Sequence, residues 1–466
     1  MRYLALATDY DGTLAEQGRV RPATEVALER LRKSGRRLVL VTGRELGDLR
    51  SVFDGLSLFD LVVAENGALL HDPRTGEEVV LAESPPPELA DRLRSAGATP
   101  LGVGRVIVAT REPWQVAALE AVRALGLEWQ VIFNKGAVML LPSGVNKQTG
   151  LAAALERLGL SLRNTVAVGD AENDHAMLAA SECGVAVANA LEALKDRADL
   201  VTRGARGSGV EELIERLLED DLRSVVVARH ALLLGERRDG TELHIAPAGR
   251  RLMIAGPSGK SAAAAGVIER LMSAGYQCCI VDPEGGCQGF EGMVEIGAAG
   301  RAPAEDEVIE LLSTPSVHAG VRLEAMPVAD RPGFLASLLA RLQRMRDRTG
   351  RPHWIVIDEA HRLFPKGPAA SPTLPRELGG VLLITAHPEV LSPSVLEALD
   401  LILAVGNGPE QTLRPFGALA PVVLEEGEVL AWSKGQAEPL RLLPGKGQKG
   451  PSRALQAPEK GRTLPD

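Results

Sequence analysis

The sequence has few aromatic residues, few cysteines and no long apolar run. Aromatic residues make up 3% of the 466 residues, so the cores must be built from Ala, Val, Leu and Ile. Four cysteines cannot form a disulfide framework, and their spacing matches no zinc site. No apolar run reaches the roughly 18–20 residues that span a bilayer, and Asp9 follows the start too closely for a signal peptide. We therefore expect a cytoplasmic protein with no membrane partner.

The remaining composition is that of a globular protein. Hydrophobic residues make up 45% of the chain and charged residues 24%, which excludes disorder throughout. At roughly 150 residues per domain, the length predicts about three domains. The formal net charge of −9 argues against a protein that coats nucleic acid non-specifically, although a local basic channel stays open.

Short apolar strands alternate with amphipathic helices over the first 220 residues. The strands are Tyr3–Thr8, Arg37–Thr42, Leu61–Glu65 and Thr165–Val168, and Ala23–Ser34 reads as a helix. Continuous apolar strands separated by helices are typical of a parallel, doubly wound, Rossmann-like sheet. Polar residues that follow these strands lie at the carboxyl edge, where such sheets bind ligands.

Residues 83–143 interrupt this alternation. After Pro85–Pro87 the predicted order is helix, strand, helix, strand, strand. The last two strands, Leu127–Phe133 and Ala137–Leu141, are joined by Asn134–Gly136, which is a hairpin signal. We expect a small α+β cap inserted into a core formed by residues 1–82 and 144–220.

Four segments at element edges carry acidic, hydroxyl or cationic groups. Asp9 and Asp11 follow the first strand, so one carboxylate can attack while the other transfers a proton. An Asp-x-Asp tripeptide alone is more often a solvated turn. The groups of Thr42–Arg44 can hold a phosphoryl oxygen, and Lys147 at a helix start attracts an anion. The carboxylates of Gly169–Asp174 can complete an oxygen-rich Mg²⁺ site.

Residues 1–220 thereby resemble the haloacid dehalogenase superfamily of phosphohydrolases, in the Cof-like branch with a large cap. Asp9–Leu14 is similar to its first motif, Thr42–Arg44 to its second, Lys147 to its third and Gly169–Asp174 to its fourth. The resemblance implies a small phosphorylated metabolite, such as phosphoglycolate or a sugar phosphate, as the substrate. The cap, short for this branch, would close over it.

The resemblance also implies a role for each motif residue. Asp9 would be the nucleophile that forms an aspartyl-phosphate, and Asp11 the general acid and base. The metal, Mg²⁺, would be held by Asp9, the Asp11 backbone carbonyl and Asp170, with Asp174 in support. The transferring phosphoryl group would be held by Thr42, Gly43, Lys147 and Asn173.

The second half contains a shortened phosphate-binding loop. Gly256–Ser261 follows a predicted strand and opens a helix, as a loop that cradles phosphates does. The full pattern G-x-x-x-x-G-K-S/T places its first glycine at position 254, where this chain has Ile254. Two carboxylates, Asp358 and Glu359, end the strand Trp354–Ile357, and one could face Mg²⁺ and the other water.

Residues 230–435 resemble the RecA-like P-loop ATPases of the HerA and FtsK type, which are ring-forming motors. We expect a P-loop domain over residues 221–443 with an N-terminal hairpin, and a disordered tail over 444–466. The resemblance implies that ATP and its Mg²⁺ contact Lys260 and Ser261. Glu359 would then be the catalytic base. Gly256, Gly259 and Asp358 would complete this nucleotide site.

Three departures weaken that second resemblance. Besides Ile254, the chain has His387 where a glutamine usually follows the sensor strand Val381–Thr385, and both Arg376 and Arg414 are candidates for an arginine finger. We therefore expect a nucleotide-binding module that could assemble as a homo-oligomer. The alternatives are a nucleic-acid-processing ATPase with an accessory phosphatase and a regulatory module that uses the loop as a scaffold. The acidic charge and small cap favour a phosphatase.

Overall fold

A computed structural model describes most of the chain, in two compact units. The first contains Met1–Ala231, Glu305–Val317 and Leu338–His353, and the second contains Leu232–Ala304, His318–Ser337 and the described residues from Trp354 onward. The expected tail over 444–466 and the arginine-finger candidate Arg376 lie outside the described residues. The described residues are 1–285, 289–366, 374–375, 378–417, 422–425, 427–433 and 436–442.

An eight-stranded sheet forms the centre of the first unit and confirms the Rossmann-like α/β prediction. Its order is β14-β13-β12-β1-β4-β5-β6-β7, and β1 pairs in parallel with both β12 and β4. The strands β6 and β7 are antiparallel, because the short turn after β5 leaves no room for a crossover. The strands are β1 (Ala5–Thr8), β2 (Ala15–Glu16), β3 (Arg19–Val20), β4 (Arg37–Val41), β5 (Leu61–Ala64), β6 (Leu69–His71), β7 (Glu78–Val80), β8 (Gly102–Val103), β9 (Val108–Arg111), β10 (Trp129–Asn134), β11 (Ala137–Pro142), β12 (Thr165–Gly169), β13 (Cys183–Ala186) and β14 (Leu200–Val201).

Amphipathic helices cover this sheet. The first begins at Pro22, which suits the first helical position because proline has no N–H to leave unpaired. It buries Ala27, Leu28 and Leu31, which share one face at helical spacing. The helices of the first 231 residues are α1 (Pro22–Lys33), α2 (Leu46–Val52), α3 (Pro87–Ser95), α4 (Gln115–Ala124), α5 (Lys147–Arg157), α6 (His175–Ala180), α7 (Glu192–Lys195) and α8 (Gly207–Asp220).

The cap is a four-stranded antiparallel sheet in the order β10-β11-β9-β8 with its own small core. The core includes Leu89 of α3, Ala118 of α4 and Leu140 of β11, all fully buried. One strand was not predicted: β8 has two residues, too few for an apolar pattern. The hairpin of β10 and β11 turns at Lys135 and Gly136, whose φ angles of 46° and 83° are those of a tight two-residue turn.

A larger mixed sheet forms the second unit. Its order is β16-β15-β25-β24-β23-β17-β22-β21-β18-β20-β19, and the last seven of these strands are parallel. Of the helices in the described part of the chain, none is long and apolar enough to cross a bilayer. The strands and α-helices described from Leu232 onward, of which α10 and the later part of α11 belong to the first unit, are β15 (Leu232–Arg237), β16 (Glu242–Ile245), β17 (Arg251–Ala255), α9 (Lys260–Ser273), β18 (Cys278–Asp282), β19 (Met293–Ile296), α10 (Glu305–Ser313), β20 (His318–Arg322), α11 (Arg331–Thr349), β21 (Trp354–Ile357), β22 (Val381–Thr385), α12 (Pro393–Glu397), β23 (Leu401–Ala404), α13 (Pro409–Thr412), β24 (Glu428–Ser433) and β25 (Gln436–Leu442).

Candidate active site

The carboxyl ends of three neighbouring parallel strands bring the predicted residues of the first unit to one edge. Asp9 follows β1, Thr42 follows β4 and Asp170 follows β12. The Asp9 N–H donates to the carbonyl oxygen of Val168 at 3.0 Å, which continues the pairing of β1 with β12 beyond the last strand residue. The strand order therefore fixes where the Asp9 backbone lies.

A buried cluster of one lysine and three carboxylates occupies this edge; we call Asp9, Lys147, Asp170 and Asp174 the acidic cluster. Lys147 Nζ donates to Asp9 Oδ1 at 2.6 Å and to Asp174 Oδ1 at 2.7 Å. Its side chain is 1% exposed, and those of Asp9 and Asp174 are 6% and 0% exposed. Lys147 is the first residue of α5, and the Asn146 side chain caps that helix. The helix start thus delivers the cation to the strand edge.

Asp174 organises the loop that carries Asp170. Its Oδ2 accepts the backbone N–H groups of Asp170 and Ala171 at 2.9 and 3.0 Å, while its Oδ1 faces Lys147. Both oxygens of this carboxylate are therefore occupied by donors from the protein. Asp174 therefore lies beside Asp9 and Asp170, with one oxygen of each carboxylate within 4.8 Å of the others.

The electrostatics of the acidic cluster suit a divalent cation. Burial raises the pKa of Asp9, with Asp174 and Asp170 adding to the rise and Lys147 opposing it. Burial lowers the pKa of Lys147, but Asp174 and Asp9 raise it by more. Asp9, Asp170 and Asp174 each offer an oxygen within 4.8 Å of the others. Such an all-oxygen, anionic donor set fits Mg²⁺.

Asp11 lies beside the acidic cluster rather than within it. Its carboxylate accepts two hydrogen bonds from the Arg44 guanidinium, at 2.6 Å from Nε and 2.7 Å from Nη2. The Asp11 side chain is 42% exposed, so it faces the mouth of the site. Arg44 also pairs with Asp48, and sequence reasoning gave Arg44 no role of its own although it ends the second motif.

A group of polar side chains adjoins the acidic cluster. Thr42 Oγ1 accepts the Arg44 N–H at 3.1 Å, and Asn173 Nδ2 donates to Asn66 Oδ1 at 2.9 Å. A Cβ at Gly43 would lie 3.6 Å from Asn173 Nδ2, so these groups border one space. Asn66 Nδ2 and Asn173 Oδ1 are buried and have no partner among the described residues. Asn66, which lies in a segment that also supports the family resemblance but to which the sequence gave no role, therefore offers an unused donor here.

The cap reaches the acidic cluster through its hairpin. The Lys135 ammonium forms an ion pair with Asp170 Oδ2, and the Lys135 backbone N–H donates to Glu172 Oε2 at 3.3 Å. A Cβ at Gly12 would lie 2.8 Å from Lys135 Nζ and closer still to Asp170, which explains the glycine at that position. Sequence analysis did not single out the Lys135 side chain.

The carboxylate of Glu65, a core residue, binds a loop of the cap and so forms a cap anchor. Glu65 Oε1 accepts the N–H of Arg105 at 2.9 Å, and Oε2 accepts those of Val106 and Ile107 at 2.8 and 3.0 Å. The Glu65 residue is 2% exposed. Three N–H groups of the cap therefore depend on one core side chain.

The second unit brings together only some of its predicted residues. Lys260 Nζ lies 3.0 Å from Glu359 Oε1, and Glu359 Oε2 lies 3.3 Å from His361 Nδ1. Asp358 Oδ1 accepts the Glu359 N–H at 2.9 Å. Ser261 lies in the first turn of α9, which begins at Lys260.

The loop before α9 has four residues, 256–259. Gly259 adopts a φ of 78°, which glycine allows, and caps the helix. A Cβ at Gly256 would lie 1.9 Å from the carbonyl oxygen of Val405, so the segment after β23 packs directly on the loop. Only glycine can occupy position 256.

Comparisons with known proteins match the first unit. Residues 6–95 and 125–214 match a family described as haloacid dehalogenase-like hydrolase. A phosphoglycolate phosphatase of Methanothermobacter thermautotrophicus is 34% identical over 226 residues, which cover 46% of this chain and 98% of the relative. One of Archaeoglobus fulgidus is 30% identical over 218 residues, covering 46% and 96%. A crystal structure of a haloacid dehalogenase-like hydrolase from Bacteroides thetaiotaomicron is 22% identical, with a TM-score of 0.41, and covers 46% of this chain and 99% of that one.

Proposed function

The chain belongs, through its first 220 residues, to the haloacid dehalogenase-like hydrolases, and on that premise we propose that it hydrolyses small phosphomonoesters through an aspartyl-phosphate on Asp9. The observation that carries the proposal is the acidic cluster, in which Lys147 bonds both Asp9 and Asp174 away from water. Two relatives named phosphoglycolate phosphatase support phosphoglycolate as the substrate, and a compact sugar phosphate is the alternative.

In the first step an Asp9 oxygen attacks the phosphorus, and the bond from phosphorus to the leaving oxygen breaks. Asp11 gives a proton to that leaving oxygen. Lys147 faces Asp9 and neutralises charge on the phosphoryl oxygens, which is where phosphoryl transfer needs stabilisation. Thr42, Gly43 and Asn173 border the space for those oxygens.

In the second step water attacks the phosphorus of the aspartyl-phosphate and Asp11 takes its proton. Phosphate leaves and the Asp9 carboxylate is restored. The paired hydrogen bonds from Arg44 fix the orientation of the Asp11 carboxyl group, which gives up a proton in the first step and takes one from water in the second. Mg²⁺, held by Asp9, the Asp11 carbonyl and Asp170 with Asp174 in support, would neutralise charge between the nucleophile and the phosphoryl group.

The substitution Asp9→Asn tests the nucleophile. We expect it to abolish Mg²⁺-dependent hydrolysis of p-nitrophenyl phosphate, because an amide oxygen cannot form the aspartyl-phosphate. Asp91→Asn, on the exposed face of α3, is the control and should keep the wild-type rate. Wild-type turnover in Asp9→Asn would refute the assignment of Asp9.

For the second unit we propose a nucleotide-binding P-loop domain. Three observations support it: the parallel order β23-β17-β22-β21-β18, the loop between β17 and α9, and the 3.0 Å contact of Lys260 with Glu359. Lys260 would bind the phosphates of ATP with the N–H groups around Gly256 and Gly259. Ser261 and Asp358 would hold its Mg²⁺, and Glu359 would orient the attacking water.

Calorimetric titration with Mg-ATP tests this domain. We expect binding by the wild type and its loss in Lys260→Ala, because the ammonium supplies the charge that faces the phosphates. Lys366→Ala, an exposed position in the same unit, is the control. Equal binding by Lys260→Ala would refute the assignment, and absence of wild-type binding would mean that the loop serves as a scaffold. ATP hydrolysis stimulated by DNA would favour the alternative, a nucleic-acid motor with an accessory phosphatase.

A further inference from the structure

We propose that Lys135 of the cap recognises an anionic group on the leaving half of the substrate. The protein would then select phosphomonoesters that carry a carboxylate close to the ester oxygen. This inference rests on the phosphatase function proposed above and extends it to the choice of substrate.

The hairpin holds the backbone of Lys135 beside the acidic cluster, whereas its side chain is long and partly exposed. The hairpin pairs six residues of β10 with six of β11, from Trp129 with Pro142 to Asn134 with Ala137. The hydrogen bond from Lys135 N–H to Glu172 ties the tip to the loop that carries Asp170. Beyond that backbone a flexible four-carbon stem carries the ammonium, and the side chain is 42% exposed.

The present partner of Lys135 is a carboxylate that a metal would take. Asp170 belongs to the oxygen set that fits Mg²⁺, and a divalent cation there competes with the ammonium and repels it. The ammonium then needs another anion within reach of its stem. A substrate whose phosphoryl group meets Asp9 would place its leaving half toward the cap, where the hairpin tip lies beside Asp170.

Two other cations near the site, Arg44 and Lys147, have partners of their own. Arg44 donates both Nε and Nη2 to Asp11 and pairs with Asp48 through Nη1. Lys147 is enclosed between Asp9 and Asp174. Of these three cations, Lys135 is the exposed one whose partner belongs to the oxygen set, so a carboxylate on the substrate would replace the one it gives up when the site is loaded.

Two substrates of equal chain length test the inference: 2-phosphoglycolate and 2-hydroxyethyl phosphate, which has a neutral hydroxymethyl in place of the carboxylate. We expect Lys135→Ala to lower kcat/KM for phosphoglycolate by about 10- to 100-fold, the range of a hydrogen bond to a charged group. For hydroxyethyl phosphate the change should stay within about twofold. Lys135→Arg, which keeps the charge, should recover most of the loss on phosphoglycolate.

A binding measurement separates recognition from chemistry. In the Asp9→Asn background, calorimetry should show about 10- to 100-fold weaker phosphoglycolate binding when Lys135→Ala is added. The control is Arg123→Ala, which removes an exposed cation on α4 of the cap. It should change neither kcat/KM for either substrate nor the binding of phosphoglycolate.

The outcomes distinguish this inference from the proposed function. Equal losses on both substrates, or no loss on phosphoglycolate, would overturn the role of Lys135 while the phosphatase function stands. Absence of wild-type turnover on both substrates and on p-nitrophenyl phosphate would instead overturn the phosphatase function, and this inference with it.

Discussion

Each unit of the molecule places a lysine against a carboxylate at the carboxyl ends of parallel strands, but the two pairs differ in burial. The Lys147 side chain is 1% exposed and contacts two carboxylates that are 6% and 0% exposed. The Lys260 side chain is 17% exposed and contacts Glu359, which is 12% exposed. The same pair of groups is removed from water in one unit and within reach of water in the other.

This difference in burial follows from the number of segments that surround each lysine. In the first unit, the segments after the two strands β1 and β12 hold Asp9, Asp170 and Asp174 around Lys147, which begins α5, before any substrate arrives. Preorganised charges in a water-free site act more strongly on a developing charge than exposed ones do. In the second unit Lys260 begins α9 after a four-residue loop, and it pairs with the carboxylate of Glu359. Substitutions at the two lysines should therefore differ in effect.

The largest effect should come from Lys147→Met. The change removes the cation from between Asp9 and Asp174 and leaves two buried carboxylates facing each other. We expect phosphatase activity to fall by about 10²- to 10³-fold, because a preorganised charge at the transferring group is lost. The free energy of unfolding in urea, without metal, should fall by about 3–5 kcal/mol, the cost of breaking a buried ion pair.

The exposed Lys33 is the control for that change. Lys33 pairs with Glu29 one helical turn away, and its side chain is 71% exposed. We therefore expect Lys33→Met to lower the free energy of unfolding by at most about 0.5 kcal/mol. Unfolding free energies that agree for the two variants would contradict the contrast between buried and exposed pairs.

The sequence alone predicts much of the first site, because its residues directly follow apolar strands. Asp9, Thr42 and Asp170 each come one residue after a strand end, and the parallel arrangement places such ends at one edge. Lys147 is likewise marked by the start of a helix. A local sequence pattern is enough to predict a site residue when the end of a strand or the start of a helix fixes the position of that residue.

The contacts between cap and core could not be predicted in this way. Lys135 contacts Asp170 only because the cap hairpin folds back onto the core. Likewise, Glu65 accepts hydrogen bonds from residues 105–107 only because that loop of the cap lies against the core. No periodicity in the sequence encodes that placement. The packing of Val405 on Gly256 in the second unit is of the same kind, since the two residues are far apart in the chain.

The substitution Asp174→Asn sharpens the comparison by keeping shape and removing charge. One amide NH₂ would then face either Lys147 or the N–H groups of Asp170 and Ala171, so a donor must meet a donor. We expect a loss of about 2–3 kcal/mol in unfolding free energy and about 10- to 100-fold weaker Mg²⁺ binding by calorimetry. The exposed Asp54→Asn should change neither, and unaltered Mg²⁺ binding in Asp174→Asn would remove Asp174 from the supporting position.

A smaller effect is expected at the cap anchor, with Glu65→Gln. The amide keeps one acceptor oxygen for the three N–H groups of residues 105–107 and turns a donor toward the others. We expect a loss of about 1–2 kcal/mol in unfolding free energy. Hydrogen exchange at 105–107 should become faster, and KM should rise more than kcat falls. The exposed Glu83→Gln is the control, and unchanged exchange at 105–107 in Glu65→Gln would show that the anchor does not restrain the cap.

The smallest effect should come from Lys260→Ala, which is the direct counterpart of the change at Lys147. Because water reaches both Lys260 and Glu359, losing their contact should lower the free energy of unfolding by less than about 1 kcal/mol without nucleotide. Thermal and urea unfolding of the full chain would measure it, with Lys366→Ala as the control. A loss of about 3 kcal/mol or more would place Lys260 in the same class as Lys147 and abolish the distinction between the two sites. A small loss of unfolding free energy together with loss of Mg-ATP binding would instead show that Lys260 serves nucleotide binding rather than the stability of the fold.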